Sequence, residues 1–368
     1  MPKNFITFSF LLLLFFMLFI LSSRAIDVSC KGGALIDADS GELVFGKNED
    51  LRLPMASTTK IMTALVTIEN SCLDDVVRII PCMTGIEGSS IYLQEGEELT
   101  VSELLYALML ESANDASVAL AYHVGGSIDG FVDMMNQRAK SLGLASTHFT
   151  NPHGLDNEEH YTTAFELATI AREAMKNPVF SEIVSTYKRT IPLNCGEGTR
   201  VLINHNKLLR SYEGAIGVKT GFTKKCGRCL VSCAEVDGVK LICVTLNAPN
   251  DWNDHKNMLD YGFELYERVN LASSYDYKIS LNVVNGEKAT VLATNHEPLS
   301  VTLKKDNRSI TAVCEANRLL SAPIRKGDMV GRIAFYCDNE EIGYVSLFAC
   351  ENVKDIKYKK SLFERLFG

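Results

Sequence analysis

Near residue 214 the hydrophobic period of this 368-residue chain changes from helical to strand-like, which leaves few folds open. "GAIGVKTGFT", "CLVSCAEV" and "KLICVTLNA" read as three short strands. The last two join through Asp237-Gly238, so the segment is predicted to be an antiparallel meander. A matching hairpin stands far upstream in "GALIDADSGELVFGKN", where two alternating segments flank the turn residues Asp39-Ser40-Gly41. Between the two β regions the period is helical. Ile61, Leu65 and Ile68 recur at helical spacing after Ser57. In "LTVSELLYALMLESANDASVALAYHV", Leu104, Leu105, Leu108 and Met109 share one side, and Thr100 and Glu103 are spaced as a capping box. Further helices are predicted over 129–142 and 163–176. Strands from both ends with helices between them imply one antiparallel sheet covered by helices, an α/β or α+β domain.

A helix over "DYGFELYERV" is predicted to close this domain, assigned to residues 27–272. Beyond Ser273 the pattern is almost wholly β, with turns at Asn285-Gly286, Asp306-Asn307 and Asp338-Asn339, as in a small all-β sandwich over 273–352. The tail 353–368 is basic and gathers Leu362, Phe363, Leu366 and Phe367 on one helical face, a pattern suited to lying on an anionic membrane. At the other end, a basic lead at Lys3, an apolar core from Phe5 to Leu21 and Ser23-Arg24-Ala25 read as a secretory signal cleaved after Ala25. The apolar run also meets the lower limit for an uncleaved membrane anchor. Either way the body is expected outside the cytoplasm; with the signal cleaved, the tail would make it peripheral on the outer face of the membrane.

A formal net charge of -8 argues against nucleic-acid binding, because no broad basic surface is available to neutralise phosphates. All 11 cysteines follow the proposed cleavage site, an odd number that leaves at least one unpaired within the chain. Cys226 and Cys229 form a C-x-x-C with no second half of a zinc site, and are read as small buried side chains of a strand-rich region.

The chemistry starts at "LPMASTTK". A serine hydroxyl is a poor nucleophile until a base takes its proton, and Lys60 stands three residues after Ser57, on the same helical face. Ser-x-x-Lys is short enough to recur by chance, and it does so at Ser185 and Lys188 in "VSTYKRTIPL". There an extended segment is predicted, in which the two side chains would face opposite ways. At neutral pH a lysine is a base only if burial or a second cation lowers its pKa. Lys219 in "GVKTGFT" is such a cation. With Thr220 and Gly221 it also suits a carboxylate, the glycine letting a substrate approach the backbone. In "ESANDAS", Ser112 offers a hydroxyl to relay a proton, and Asn114 an amide to orient a carbonyl. His153 and His160 flank "GLDNEE" at a spacing that matches no compact metal motif, and are read as parts of a hydrogen-bonded loop. No metal or cofactor is expected.

The ordered set S-x-x-K, S-x-N, K-T-G is shared by penicillin-binding proteins and class A β-lactamases. More closely, the chain resembles the low-molecular-weight serine-type D-alanyl-D-alanine carboxypeptidases. The resemblance runs from about residue 27 to the C-terminus through "PMASTTKIMTAL", "GSSIYLQEGEELTVSELLYALMLESANDASVALA", "FTNPHGLDNEEHYTTAFELA" and "GVKTGFTKKCGRCLVS". It implies a transpeptidase-like (β-lactamase-like) fold and a peptidoglycan stem peptide ending in D-Ala-D-Ala as substrate. Ser57 would attack, Lys60 act as base and Ser112 pass the proton to the leaving D-alanine. Asn114 would hold the substrate backbone, and Lys219 and Thr220 its carboxylate. The N–H groups of Ser57 and Phe222 would form the oxyanion hole, and β-lactams would acylate Ser57. There are departures: Phe222 replaces a histidine found in some members, "NAPNDWNDHKN" lacks an arginine that assists in some relatives, and Cys226 stands where a small residue is usual. A class A-like β-lactamase shares the motifs, but no Glu-x-x-Leu-Asn follows Asn114 to activate a deacylating water. A catalytically idle wall-binding protein would not need every catalytic side-chain type.

Overall fold

The computed structural model describes residues 26–193, 198–306, 308–317 and 319–356. The proposed signal and most of the basic tail lie outside the described residues. The chain divides into two compact units. Among the described residues, the first comprises those up to Ile36, Leu43–Ala234 and Leu241–Gly262; the second comprises Asp37–Glu42, Glu235–Lys240 and those from Phe263 onward.

Strands β1 (Gly32–Asp37) and β2 (Leu43–Lys47) form the expected hairpin. A 3-10 turn, Ala56–Thr59, leads into helix α1 (Lys60–Asn70), whose residues 60–67 are all buried. A helix buried on every side is a core element, which accounts for its near-continuous apolar sequence. Strands β3 (Val76–Arg78) and β4 (Glu98–Thr100) pair ahead of α2 (Val101–Leu110). The capping box appears as expected: Glu103 N–H donates to Thr100 Oγ1 at 3.2 Å, and Thr100 N–H donates to Glu103 Oε2 at 2.7 Å.

Helices α3 (Asn114–Gly125), α4 (Ile128–Ser141), α5 (Ala164–Met175) and α6 (Pro178–Ser185) complete the helical body. The predicted spans 129–142 and 163–176 therefore sit within a residue of α4 and α5. A hairpin of β5 (Lys188–Leu193) and β6 (Gly198–Ile203) follows, then the meander β7 (Ala215–Thr223), β8 (Gly227–Val236) and β9 (Val239–Leu246). The five-stranded sheet has the order β2-β1-β9-β8-β7, so the early hairpin and the late meander do share one sheet. Helix α7 (Asp251–Leu265) carries His255, fully buried and bonded to Ser232 of β8 at 2.6 Å and Thr245 of β9 at 3.0 Å.

The second unit is β-rich. Its strands are β10 (Tyr266–Ala272), β11 (Lys278–Val284), β12 (Thr290–Asn295), β13 (Leu299–Lys304), β14 (Ile310–Ala316), β15 (Leu320–Ser321), β16 (Met329–Cys337) and β17 (Glu340–Ala349). A six-stranded sheet, β14-β16-β17-β12-β11-β15, and a ribbon of β10 and β13 enclose Leu281, Val291, Ile333, Phe335, Val345 and Leu347. At the β16–β17 turn, Asp338 and Asn339 have φ of 51° and 69°, the two left-handed residues that a type I′ hairpin requires.

Two local expectations are corrected. The helix read through "DYGFELYERV" stops at Leu265, and Tyr266–Ala272 is a strand, because residues 299–304 pair with it in antiparallel register. A partner that distant in sequence leaves no local trace in the pattern. Ser185 is not extended but ends α6, while Lys188 opens β5.

Candidate active site

Three elements build the site, and the first is the turn before α1. In a 3-10 turn, residues three apart eclipse one another, so Ser57 lies directly beside Lys60. Lys60 Nζ stands 3.2 Å from Ser57 Oγ, 2.6 Å from Asn114 Oδ1 and 2.7 Å from the His153 carbonyl oxygen. The lysine is wholly inaccessible to solvent. Burial, then the neighbouring Lys219, pushes its amine well below the usual lysine range, and Asp115 offsets this in part. A neutral amine has two N–H donors and one lone pair. Asn114 and the His153 carbonyl take the two donors, which leaves the lone pair facing the Ser57 hydroxyl. That is the geometry of a general base at a nucleophile.

The second element is the junction of α2 and α3. Ser112 is buried with φ of 60°, a left-handed conformation rare outside glycine. Asn114 opens α3, and its Nδ2 also donates to the Glu87 carbonyl at 2.5 Å. One amide hydrogen of Asn114 is thus committed to the protein, and its oxygen to Lys60. The sequence assigns this amide to the substrate, and the structure leaves its second hydrogen for that role. Asp115 beside it is fully buried and accepts from Ser90 Oγ (2.6 Å) and from the N–H groups of Leu93 (3.0 Å), Ala116 (2.9 Å) and Ile91 (3.3 Å). This carboxylate fastens segment 90–93 to the head of α3.

The third element is β7. Lys219 is buried, its Nζ donates to the Thr220 carbonyl at 3.1 Å, and burial pushes its pKa down to about 7 against an opposing contribution from Glu111. Thr220 is half-buried, Gly221 is buried and Phe222 is 63% exposed at the open end of the strand. Gly221 meets the nucleophile turn so closely that a Cβ on it would lie 3.2 Å from Ala56 Cβ, Met55 O and Ser57 N. A side chain here would be tighter than an ordinary contact, so glycine lets β7 approach the backbone of Ser57 without displacing it.

Residues 150–160 close the site over Lys60. Gly154 has φ of 90°, and a Cβ there would fall 1.9 Å from the Ala56 carbonyl oxygen. Asp156 of the same loop accepts from Thr223 Oγ1 at 2.8 Å and lies 3.4 Å from Cys226 Sγ, tying the loop to the end of β7. His160 and His153 serve as hydrogen-bonding groups of this loop, as their sequence suggested. Burial pushes the His153 pKa down to about 4 and that of His160 to about 3. Cys226 and Cys229 are both buried.

Sequence reasoning missed the two backbone acceptors, His153 O and Glu87 O, which carry no side-chain signature. It also missed Asp115 and Glu111, although both adjoin the Ser112–Asn114 motif. The arginine sought in "NAPNDWNDHKN" is absent, but Arg228, the cross-strand neighbour of Phe222 on β8, bonds Asp251 of that segment at 3.0 Å. Among the described residues, no cluster of His, Cys, Asp or Glu is arranged to hold a metal, and no helix is long and apolar enough to cross a membrane.

A serine hydroxyl beside a buried lysine amine, facing a cation-bearing strand, is the side-chain set of a serine-type acyl-transfer enzyme. The chain belongs to the D-alanyl-D-alanine carboxypeptidases of the peptidase S11 family, whose model matches residues 21–250; the C-terminal domain of penicillin-binding protein 5 matches 266–355. It is 35% identical to the D-alanyl-D-alanine carboxypeptidase DacF of Bacillus subtilis over 88% of this chain and 86% of that one. Penicillin-binding protein 5 of Haemophilus influenzae superposes with a TM-score of 0.71 at 27% identity, covering 90% of this chain and 99% of the other. The D-alanyl-D-alanine carboxypeptidase DacD of Francisella tularensis matches with a TM-score of 0.65 at 28% identity, covering 90% of this chain and 95% of the other. The protein is a serine-type D-Ala-D-Ala carboxypeptidase that acts on peptidoglycan.

Proposed function

We propose that Ser57 is the acylated residue and that Lys60 takes its proton as the hydroxyl attacks the carbonyl between two terminal D-alanines. The observation that carries this reading is the Lys60 amine, buried, with both donors committed and its remaining side 3.2 Å from Ser57 Oγ. Ser112 passes the proton to the departing D-alanine. The free amide hydrogen of Asn114 steadies the substrate backbone, and Lys219 with Thr220 receives the terminal carboxylate. The N–H groups of Ser57 and Phe222 face the developing oxyanion, where preorganised donors contribute most. Water then releases the shortened peptide, and a β-lactam takes the substrate's place and leaves slowly.

The test is labelling with a fluorescent penicillin, followed by mass spectrometry of the adduct. The adduct should map to Ser57, and Ser57→Ala should remove both labelling and D-alanine release. Label on the Ser185 peptide, or fast penicillin turnover without D-alanine release, overturns the assignment.

The pH profile follows from the two lysines. Activity needs Lys60 neutral and Lys219 charged, and kcat/KM reports the free enzyme. As pH rises through about 7, Lys219 loses its proton and its grip on the substrate carboxylate, so kcat/KM should decline on the alkaline side with an apparent pKa near 7. Glu111 opposes that loss, so Glu111→Gln should move the alkaline limb to lower pH; an unmoved limb assigns it to another group.

We propose that the enzyme works outside the cytoplasm, peripheral on the outer face of the membrane; the signal-like N-terminal sequence and the basic amphipathic tail support this reading. Deleting residues 354–368 should release it from membranes with peptidase activity intact. Persistent attachment would identify an uncleaved N-terminal anchor instead.

A further inference from the structure

His160 lies outside the machinery described above, yet it joins two of the parts on which that machinery depends. Its ring is 3% exposed and is met edge-on by Phe149, with ring centres 5.8 Å apart. The Thr150 N–H donates to Nδ1 at 3.0 Å, so Nδ1 carries no proton and the neutral ring holds its hydrogen on Nε2. Nε2 is 2.7 Å from Thr59 Oγ1 and donates to it; Thr59 in turn spends its only hydroxyl hydrogen on the Ala56 carbonyl, at 2.8 Å. The four groups form one directed chain, from the N–H that starts the covering loop to the carbonyl that precedes the nucleophile.

The end of that chain matters because Ala56 is held at φ of 48°, a strained conformation for a residue with a side chain that persists only where its surroundings impose it. The peptide between Ala56 and Ser57 carries the Ala56 carbonyl on one side and the Ser57 N–H on the other. Fixing the carbonyl therefore fixes where the N–H points.

We infer that His160 is a positioning residue for the oxyanion hole: through Thr59 it holds the Ala56 carbonyl, and so aims the Ser57 N–H at the charge that develops during acylation. The inference rests on the acyl-enzyme reading above. Penicillin labelling of the parent tests that reading alone, whereas the ring's tautomer is measured with no substrate present.

Four measurements on the full-length protein test it. Long-range proton–nitrogen NMR should show His160 as the Nε2–H tautomer, without titration between about pH 5 and 8. Thr59→Val, which keeps the shape and removes the hydroxyl, should slow penicillin acylation and lower kcat by roughly 10–100-fold, with KM for a D-Ala-D-Ala peptide within about twofold, as expected for an interaction made only in the transition state. Thr59→Ser, which restores the hydroxyl, should return both rates to within about threefold of the parent. His160→Gln should reproduce the loss in kcat; if that variant does not fold, the tautomer and the two Thr59 variants still decide. An Nδ1–H tautomer, a Thr59→Val variant as fast as the parent, or a Thr59→Ser variant as slow as Thr59→Val overturns the inference.

Discussion

Replacing Lys60 by glutamine is expected to slow acylation of Ser57 by about 10²–10⁴-fold, the usual contribution of a positioned general base, without loss of thermal stability. A glutamine amide keeps two N–H donors for Asn114 Oδ1 and the His153 carbonyl, the acceptors that now lie 2.6 and 2.7 Å from the amine. Its oxygen can accept from Ser57, so no buried group is stranded, although the side chain is one bond shorter. What it lacks is basicity. The parent lysine is also costly to bury: desolvation and Lys219 both oppose its charged form, and an amide carries no such charge. Stopped-flow acylation by penicillin and the melting temperature measure the two effects separately. Acylation within tenfold of the parent would remove Lys60 from the role of base. A melting temperature several degrees lower would mean that the lysine is also a structural post.

The second large effect is expected from Gly154→Ala. The added methyl would fall 1.9 Å from the Ala56 carbonyl oxygen, against about 3.5 Å for an ordinary contact. Neither partner can yield freely. Ala56 O is held by Thr59, and Gly154 N–H donates to Asn151 Oδ1 at 2.7 Å. Either the loop lifts, taking the His153 carbonyl away from Lys60, or the Ala56 peptide turns, taking the Ser57 N–H with it. A displacement of about 1 Å at a reacting centre can cost 10²-fold, and both routes produce one. The left-handed backbone adds roughly 1–3 kcal/mol of destabilisation. Gly143→Ala separates strain from collision: its φ is 76° against 90° at Gly154, but nothing lies within 4 Å of its added Cβ. Gly143→Ala should lose stability and keep its acylation rate, whereas Gly154→Ala should lose both. Equal acylation rates in the two variants would show that the contact between loop and nucleophile turn is not required.

Much of the architecture was legible in the pattern of the chain. A capping box is a local device, so Thr100 and Glu103 announced the start of α2 without reference to anything distant. The β8–β9 turn at Asp237-Gly238 was equally local. The change of period at residue 214 was enough to imply a sheet drawn from both ends of the domain. The helix-to-strand change at Leu265 was not legible, because what holds Tyr266–Ala272 extended is a ribbon partner some thirty residues away.

The candidate site divides in the same way. Ser57, Lys60, Ser112, Asn114, Lys219, Thr220, Gly221 and Phe222 were all named from residue types and their order, since chemistry needs particular functional groups and sequence records them. The tertiary structure alone decided what those groups do to one another. The Lys60 amine is depressed because the fold buries it and brings Lys219 near; one hydrogen of the Asn114 amide goes to Glu87; and a glycine lets the covering loop lie against the turn that carries Ser57. Backbone carbonyls, burial and close approach belong to no single residue. They arise when distant segments pack, which is why a chain can state its chemistry in sequence and set its reactivity only once folded.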